Sequence, residues 1–266
     1  MFRRISASTL CWPAVFVFLL VAAGCQINNY DADPAFELRE NFLYTRSIAE
    51  RTELYISNIN GTVTVTGVDT LTDVRISGTK IVKDQSEGAA ERHMGDISIE
   101  MQETLRALNI ETHQPSTSGG RSYQVNYEVL VPASWKVVVN NVNGNVDMQN
   151  IHNAVTASVV NGIVNATDIA GSTAIAVTNG SINGKVYLPE DGSCSLTLVN
   201  GNVSLLVPRS LSASVSASVT LGSVAVSNLP MTYTSNSWLS VTGVVGGGKG
   251  NVRLSSVNGV VQLIGM

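Results

Sequence analysis

Charge is what the second half of this 266-residue chain lacks. From residue 132 to the end only nine side chains are charged: Lys136, Asp147, Asp168, Lys185, Glu190, Asp191, Arg209, Lys249 and Arg253. With a net charge of −4 for the whole chain there is no basic footprint, and nucleic acid is not an expected partner. Histidine is limited to His93, His113 and His152, in separate segments without ligand-spaced neighbours, so no metal and no cofactor are expected. No Gly-x-Ser-x-Gly nucleophile motif is present. Cysteine is rare as well, at three residues.

The apolar run nearest the start, about residues 10–21, is short of the ~20 residues a membrane-crossing helix needs. It follows Arg3 and Arg4 and ends in Ala22, Ala23 and Gly24, directly before Cys25. A positive n-region, an apolar h-region and small residues define an export signal, and small residues ahead of a cysteine resemble the lipobox of bacterial lipoproteins. The resemblance implies cleavage before Cys25 and lipidation of Cys25. An ordinary secretory signal is the competing account. Stable anchoring takes two or more acyl chains, so the membrane is the expected partner at this end. Gln26, in place of Asp, favours the outer membrane over the inner. With Cys11 removed and Cys25 lipidated, Cys194 has no partner for a disulfide. It alternates in phase with Leu196 and Leu198 and reads as a small buried side chain.

Residues 25–45 read as the lipidated cysteine and a tether, with Asp31, Asp33 and Pro34 opposing regular structure. Beyond it the chain repeats. Asn-Gly occurs at Asn60-Gly61, Asn143-Gly144, Asn161-Gly162, Asn179-Gly180, Asn200-Gly201 and Asn258-Gly259. From Asn143 the spacings are 18, 18 and 21. Steps of 21 then reach Leu221-Gly222 and Thr242-Gly243, and 16 more reaches Asn258-Gly259. Val155, Ala157 and Val159 precede Asn161 in alternation, and Val146, Val164, Ile182, Val203, Val224, Val245 and Val261 sit three residues after the successive corners. Period-two alternation of β-branched residues makes strands. Strand, corner, strand about every 20 residues is the arithmetic of a solenoid coil.

The fold expected is all-β: a single-stranded parallel β-solenoid over residues 132–266, of seven serial coils and roughly 35 Å in length at ~4.8 Å per coil. Drift in spacing from 18 to 21 and 16 suits right-handed winding better than the left-handed hexapeptide kind. A meander of hairpins is the competitor, but its turns should recur every 8–12 residues. Residues 46–131 form an N-terminal start and cap. Within them 52–68 resemble one coil, strands are expected at about 72–83, 96–103, 106–113 and 123–131, and a short helix at about 85–95 opens on a capping-box-like Asp84 and Glu87. The final strand, 260–264, reaches almost to the last residue, so strand addition or self-association through that C-terminal edge is expected.

With Ile56-Ser57-Asn58-Ile59-Asn60-Gly61, the short helix, and Tyr127-Glu128-Val129-Leu130-Val131-Pro132 leading into serial Asn-Gly coils, the chain from about residue 42 resembles the adhesin-like solenoid domains of bacterial envelope proteins. The resemblance implies a fold and brings no catalytic residue with it.

The Asn-Gly corners admit a ligand-binding ladder, but backbone geometry accounts for them, since Asn and Gly tolerate the left-handed region. They lack the spacing of calcium-binding β-rolls. The stretch 243–250 nearly spells a phosphate loop, yet Gly250 stands where Ser or Thr must hold magnesium. Trp135 and Trp238 are candidates for glycan stacking; Trp238, in the inward phase of its coil, reads rather as core. Asp147, Asp168, Lys185 and Arg209 occupy different places relative to their corners and build no acidic cluster. The function expected is therefore a non-enzymatic envelope lipoprotein whose solenoid wall binds or scaffolds an unknown protein or glycan. A stress-sensing or regulatory component is the second class, and a solenoid polysaccharide-active enzyme the third.

Overall fold

Alternating β-branched residues form strands wherever they occur in this chain, because each strand can turn one face to a shared core. The computed structural model describes residues 36–48, 50–115 and 119–266; the expected signal, Cys25 and the first part of the tether lie outside them. Strands β1 (Phe36–Ser47), β2 (Glu53–Asn60), β3 (Val63–Val68) and β4 (Asp73–Asp84) precede helix α1 (Glu87–Met94). Then come β5 (Ser98–Glu103), β6 (Ala107–His113), β7 (Ser122–Pro132), β8 (Lys136–Asn143) and β9 (Val146–Ile151). Four long strands follow, β10 (Val155–Ile169), β11 (Thr173–Val186), β12 (Ser193–Val207) and β13 (Ala213–Ser227). The chain ends in β14 (Met231–Asn236), β15 (Ser240–Val245) and β16 (Gly250–Gly265). The described residues are thus all-β with one short helix, in a continuous, solenoid-like sheet.

Each long strand bends at its glycine into two arms. In β10 the first arm buries Val155, Ala157 and Val159 and the second Val164, Ala166 and Ile169, all at most 2% exposed. Fully burying a valine contributes about 1.5–3 kcal/mol, and neighbouring coils repeat the arrangement in register. Val146 lies beside Val164, Val164 beside Ile182, Ile182 beside Val203, and Val203 beside Val261. The pairs β8/β10, β9/β10, β10/β11, β11/β12, β12/β16 and β13/β16 are parallel.

The stacking is not serial. Asn60 lies beside Asn143, 83 residues later, so the coil of β2 and β3 joins the repeat directly. The coil of β16 inserts between β12 and β13: Asn258 pairs on one side with Asn200 and on the other with Leu221. The corner order is therefore 60, 143, 161, 179, 200, 258, 221. Thr242-Gly243 is no corner. Gly243 lies inside β15, which runs antiparallel to both β13 and β14. The hairpin reading holds locally here, and in the antiparallel pairs β1/β4, β4/β7 and β5/β6. Strand 260–264 is consequently not an edge. Val261 is paired on both sides and fully buried.

Two further differences concern the N-terminal part. β1 occupies ten residues of the stretch expected as tether, because Leu38, Phe42 and Tyr44 alternate and pack on the core while β4 supplies the ladder. Helix α1 takes Ser86, not Asp84, as its N-cap: Ala89 N–H donates to Ser86 Oγ at 3.3 Å. Asp84 instead accepts from Gln85 N–H at 2.7 Å and contacts His93 Nδ1 at 2.9 Å, which ties the helix to β4. Ala90 and Met94 supply the buried face.

Candidate functional site

The corners superimpose into columns. In the asparagine column each side chain donates Nδ2–H to Oδ1 of the one before it in the stack. Asn143 donates to Asn60 at 2.8 Å, Asn161 to Asn143 at 2.8 Å and Asn179 to Asn161 at 2.9 Å. Asn200 donates to Asn179 at 2.8 Å and Asn258 to Asn200 at 2.7 Å. Asn60 closes the chain on Tyr123 O at 3.0 Å. The next position in the stack is Leu221, which has no amide to give.

The glycine column beside it is enforced by backbone. Gly144, Gly162, Gly180, Gly201, Gly259 and Gly222 have φ between +130° and +158°, and a Cβ on any of them would sit 1.7–2.1 Å from the carbonyl oxygen of the glycine below. Two residues past the asparagine, Asn145 Oδ1 accepts from Ile163 N–H at 3.0 Å and Asn202 Oδ1 from Val260 N–H at 3.1 Å. On the other flank Val142, Val160, Val199 and Val257 are 37–42% exposed, with Thr178 exposed between them. None of the corner residues 59–62, 142–145, 160–163, 178–181, 199–202, 257–260 or 220–223 is charged. The corner is thus a flat stripe of amide groups beside apolar β-branched groups, repeating at the ~4.8 Å spacing of strands.

The other sequence candidates fall elsewhere. Asp147 accepts from Asn165 Nδ2 at 2.7 Å, while Asp168 pairs with Lys185 at 2.7 Å, so each carboxylate is engaged by a different partner. Lys249 of the glycine-rich stretch pairs with Glu190 and leads into a strand. Cys194 is 1% exposed, and burial pushes its thiol up to about 12. Among the described residues no three His, Cys, Asp or Glu side chains converge as metal ligands would. His93 sits between Asp84 and Arg121, whose guanidinium approaches His93 Nε2 at 3.0 Å. Burial works against the Asp84 carboxylate, but the Gln85 N–H and His93 hold it below its ordinary range.

Trp135 is core, at 2% exposure. Trp238 is the reverse of its expected placement, at 80%. Ser237 N–H donates to Ser240 O at 2.8 Å and Ser240 N–H to Ser237 Oγ at 3.1 Å, so Trp238 and Leu239 sit at the tip of a tight turn between β14 and β15. The two serines flanking the pair were the available signal. Trp238 and Leu239, with Gly222, Ser223 and Ser237, line a groove of about 640 Å³.

The model of the Toastrack DUF4097 family matches residues 52–263, from β2 through the second arm of β16. The chain belongs to the Toastrack family. No relative is found among curated proteins. Of solved structures, a candidate cell adhesion protein from Clostridium sporogenes ATCC 15579 is similar with a TM-score of 0.50 at 9% identity, covering 86% of this chain and all of the other. A candidate adhesin from Bacteroides fragilis NCTC 9343 gives 0.31 at 10%, covering 85% of this chain and 97% of the other. At such identities the first likeness speaks for the fold alone, and the second carries no further weight. The Toastrack match includes all seven corners and ends short of Met266.

Proposed function

We propose that this Toastrack protein is a non-enzymatic envelope lipoprotein, anchored through lipid on Cys25, whose solenoid wall makes weak, repeated contacts to protein or glycan. The carrying observation is the uncharged corner stripe, in which six asparagines form one hydrogen-bonded column beside exposed β-branched residues. Each of the four inner column amides, Asn143, Asn161, Asn179 and Asn200, spends one N–H and one acceptor position within the stack, leaving the second N–H and a lone pair for a partner. Repetition then supplies avidity that a single amide lacks. The name of the Clostridium sporogenes structure points the same way, and the Ala22-Ala23-Gly24-Cys25 run supports the anchor, with Gln26 favouring the outer membrane. The change in corner spacing from 18 to 21 residues supports right-handed winding.

Two measurements test the reading. Palmitate labelling of expressing cells should be lost in Cys25→Ser, together with membrane fractionation. Retention of expressing cells on mucin-coated glass should fall several-fold in a Val160→Lys, Val199→Lys double variant whose melting temperature is unchanged. Labelling that survives Cys25→Ser removes the anchor, and retention that ignores both lysines removes the stripe.

A further inference from the structure

We infer that the far end of the stack, formed by the second arm of β13 and the β14–β15 hairpin, is an interface for a second copy of this chain, paired about a two-fold axis. Three observations converge on it. First, the end carries open strand edges. β15 pairs only with residues 213–218 of β13, and beyond them β13 receives two hairpin carbonyls: Val219 N–H donates to Leu239 O and Val224 N–H to Trp238 O, both at 2.9 Å. β14 pairs with β15 alone.

Second, five large apolar side chains are exposed at this end. Leu221 is 66% exposed, Tyr233 45%, Trp238 80%, Leu239 47% and Val244 37%. Scattered single apolar residues need no explanation, but Trp238 and Leu239, adjacent at one turn and lining one groove with Gly222, Ser223 and Ser237, do.

Third, the two ends of the sheet differ in charge, and this selects the occupant. Residues 210–248 contain no Asp, Glu, Lys, Arg or His. The strands at the other end are guarded in the usual way. β1 carries Glu37, Arg39, Glu40 and Arg46, and β5 carries Glu100 and Glu103. Lys83 pairs with Glu37 at 3.0 Å and Arg46 with Glu103 at 3.0 Å. A head-to-tail contact would press the uncharged end onto these ion pairs and strip their water without supplying any charged partner in return. The uncharged end meets no such cost against its own copy. A two-fold sets equivalent edges antiparallel, lets the exposed Thr232, Thr234 and Ser235 of β14 bond across, and closes at two copies.

Sedimentation of the full-length chain in detergent, across a micromolar concentration series, decides the matter. The expected result is a reversible dimer that stops at two copies. Trp238→Lys and, on the β14 edge, Thr232→Lys should each weaken it about 30-fold or more with an unchanged melting temperature. Leu43→Lys, on an exposed residue of β1 at the other end, should leave it intact. A monomer at every concentration, a dimer indifferent to both lysines, or growth beyond two copies would each overturn the inference. None of these outcomes bears on the corner stripe or on Cys25.

Discussion

At the residue scale the Asn-Gly corner joins two separate requirements. The glycine is needed twice over: Gly180 has φ +146°, and a Cβ there would lie 1.8 Å from Gly162 O. Gly180→Ala should therefore cost about 3 kcal/mol or more in denaturant unfolding, combining left-handed strain with a displaced coil. Gly95→Ala is the contrast, with φ −68° and open space around the new methyl. It should be neutral or stabilise by about 0.4–1 kcal/mol through the unfolded state. The asparagine has a different role, holding coil to coil, and it can be lost where the stack ends. Leu221 stands in register with Asn258 and is two-thirds exposed. Leu221→Asn should extend the column by one bond and raise stability by about 0.5–1 kcal/mol. A neutral result would mean that the column reports stacking without contributing to it. The glycine's role was legible in the sequence because it is local; the asparagine's was not, since left-handed backbone was expected to account for it and no corner asparagine has a positive φ. A position that keeps glycine while changing asparagine to leucine already separates backbone need from side-chain bonding.

At the element scale the sequence was less informative, because equal spacing along a chain does not encode which coils touch. Strand positions followed from alternation, and the corner at Asn60 was recognisable as one coil, but the place of β16 between β12 and β13 was not. Only particular side chains hint at it: Asn258 can donate to Asn200, and Val260 N–H can reach Asn202 Oδ1, while Leu221 offers no amide. The same limit explains Trp238. Alternation carried straight through Ser237 and Ser240 places it inward, whereas those two serines close a turn that turns it out. The helix start shifted from Asp84 to Ser86 because Asp84 is engaged by Gln85 and His93. A truncation tests the order of the stack. Ending the chain after Lys249 would trim one terminal coil from a serial solenoid and leave the rest folded. In this arrangement it removes an internal coil and separates β12 from β13, so residues 193–249 should become protease-sensitive and lose cooperative unfolding. A truncated chain with β13 still protected would contradict the observed order.

Across the whole molecule stability should follow position in the stack, not position in the chain. In a repeat array each unit is held by its neighbours, so units flanked on both sides open last and those at the ends open first. β10, β11, β12 and β16 are flanked on both sides, whereas β1, β5 and β14 each have a single partner strand. Chain ends ordinarily fray, which makes the last residues of this protein the informative ones. Val252, Leu254, Val261 and Leu263 of β16 are all fully buried between two parallel neighbours. Native-state hydrogen exchange should therefore place the amides of residues 252–264 within about tenfold of those of β11, and those of β14 about a hundredfold faster or more. The contrast is sharpened by sequence distance, since β14 lies closer to the middle of the chain than β16 does. If residues 252–264 exchange as fast as β14, the final coil is not interior. The two-fold pairing of the β13–β15 end would then lose its basis as well, because that end would no longer terminate the stack.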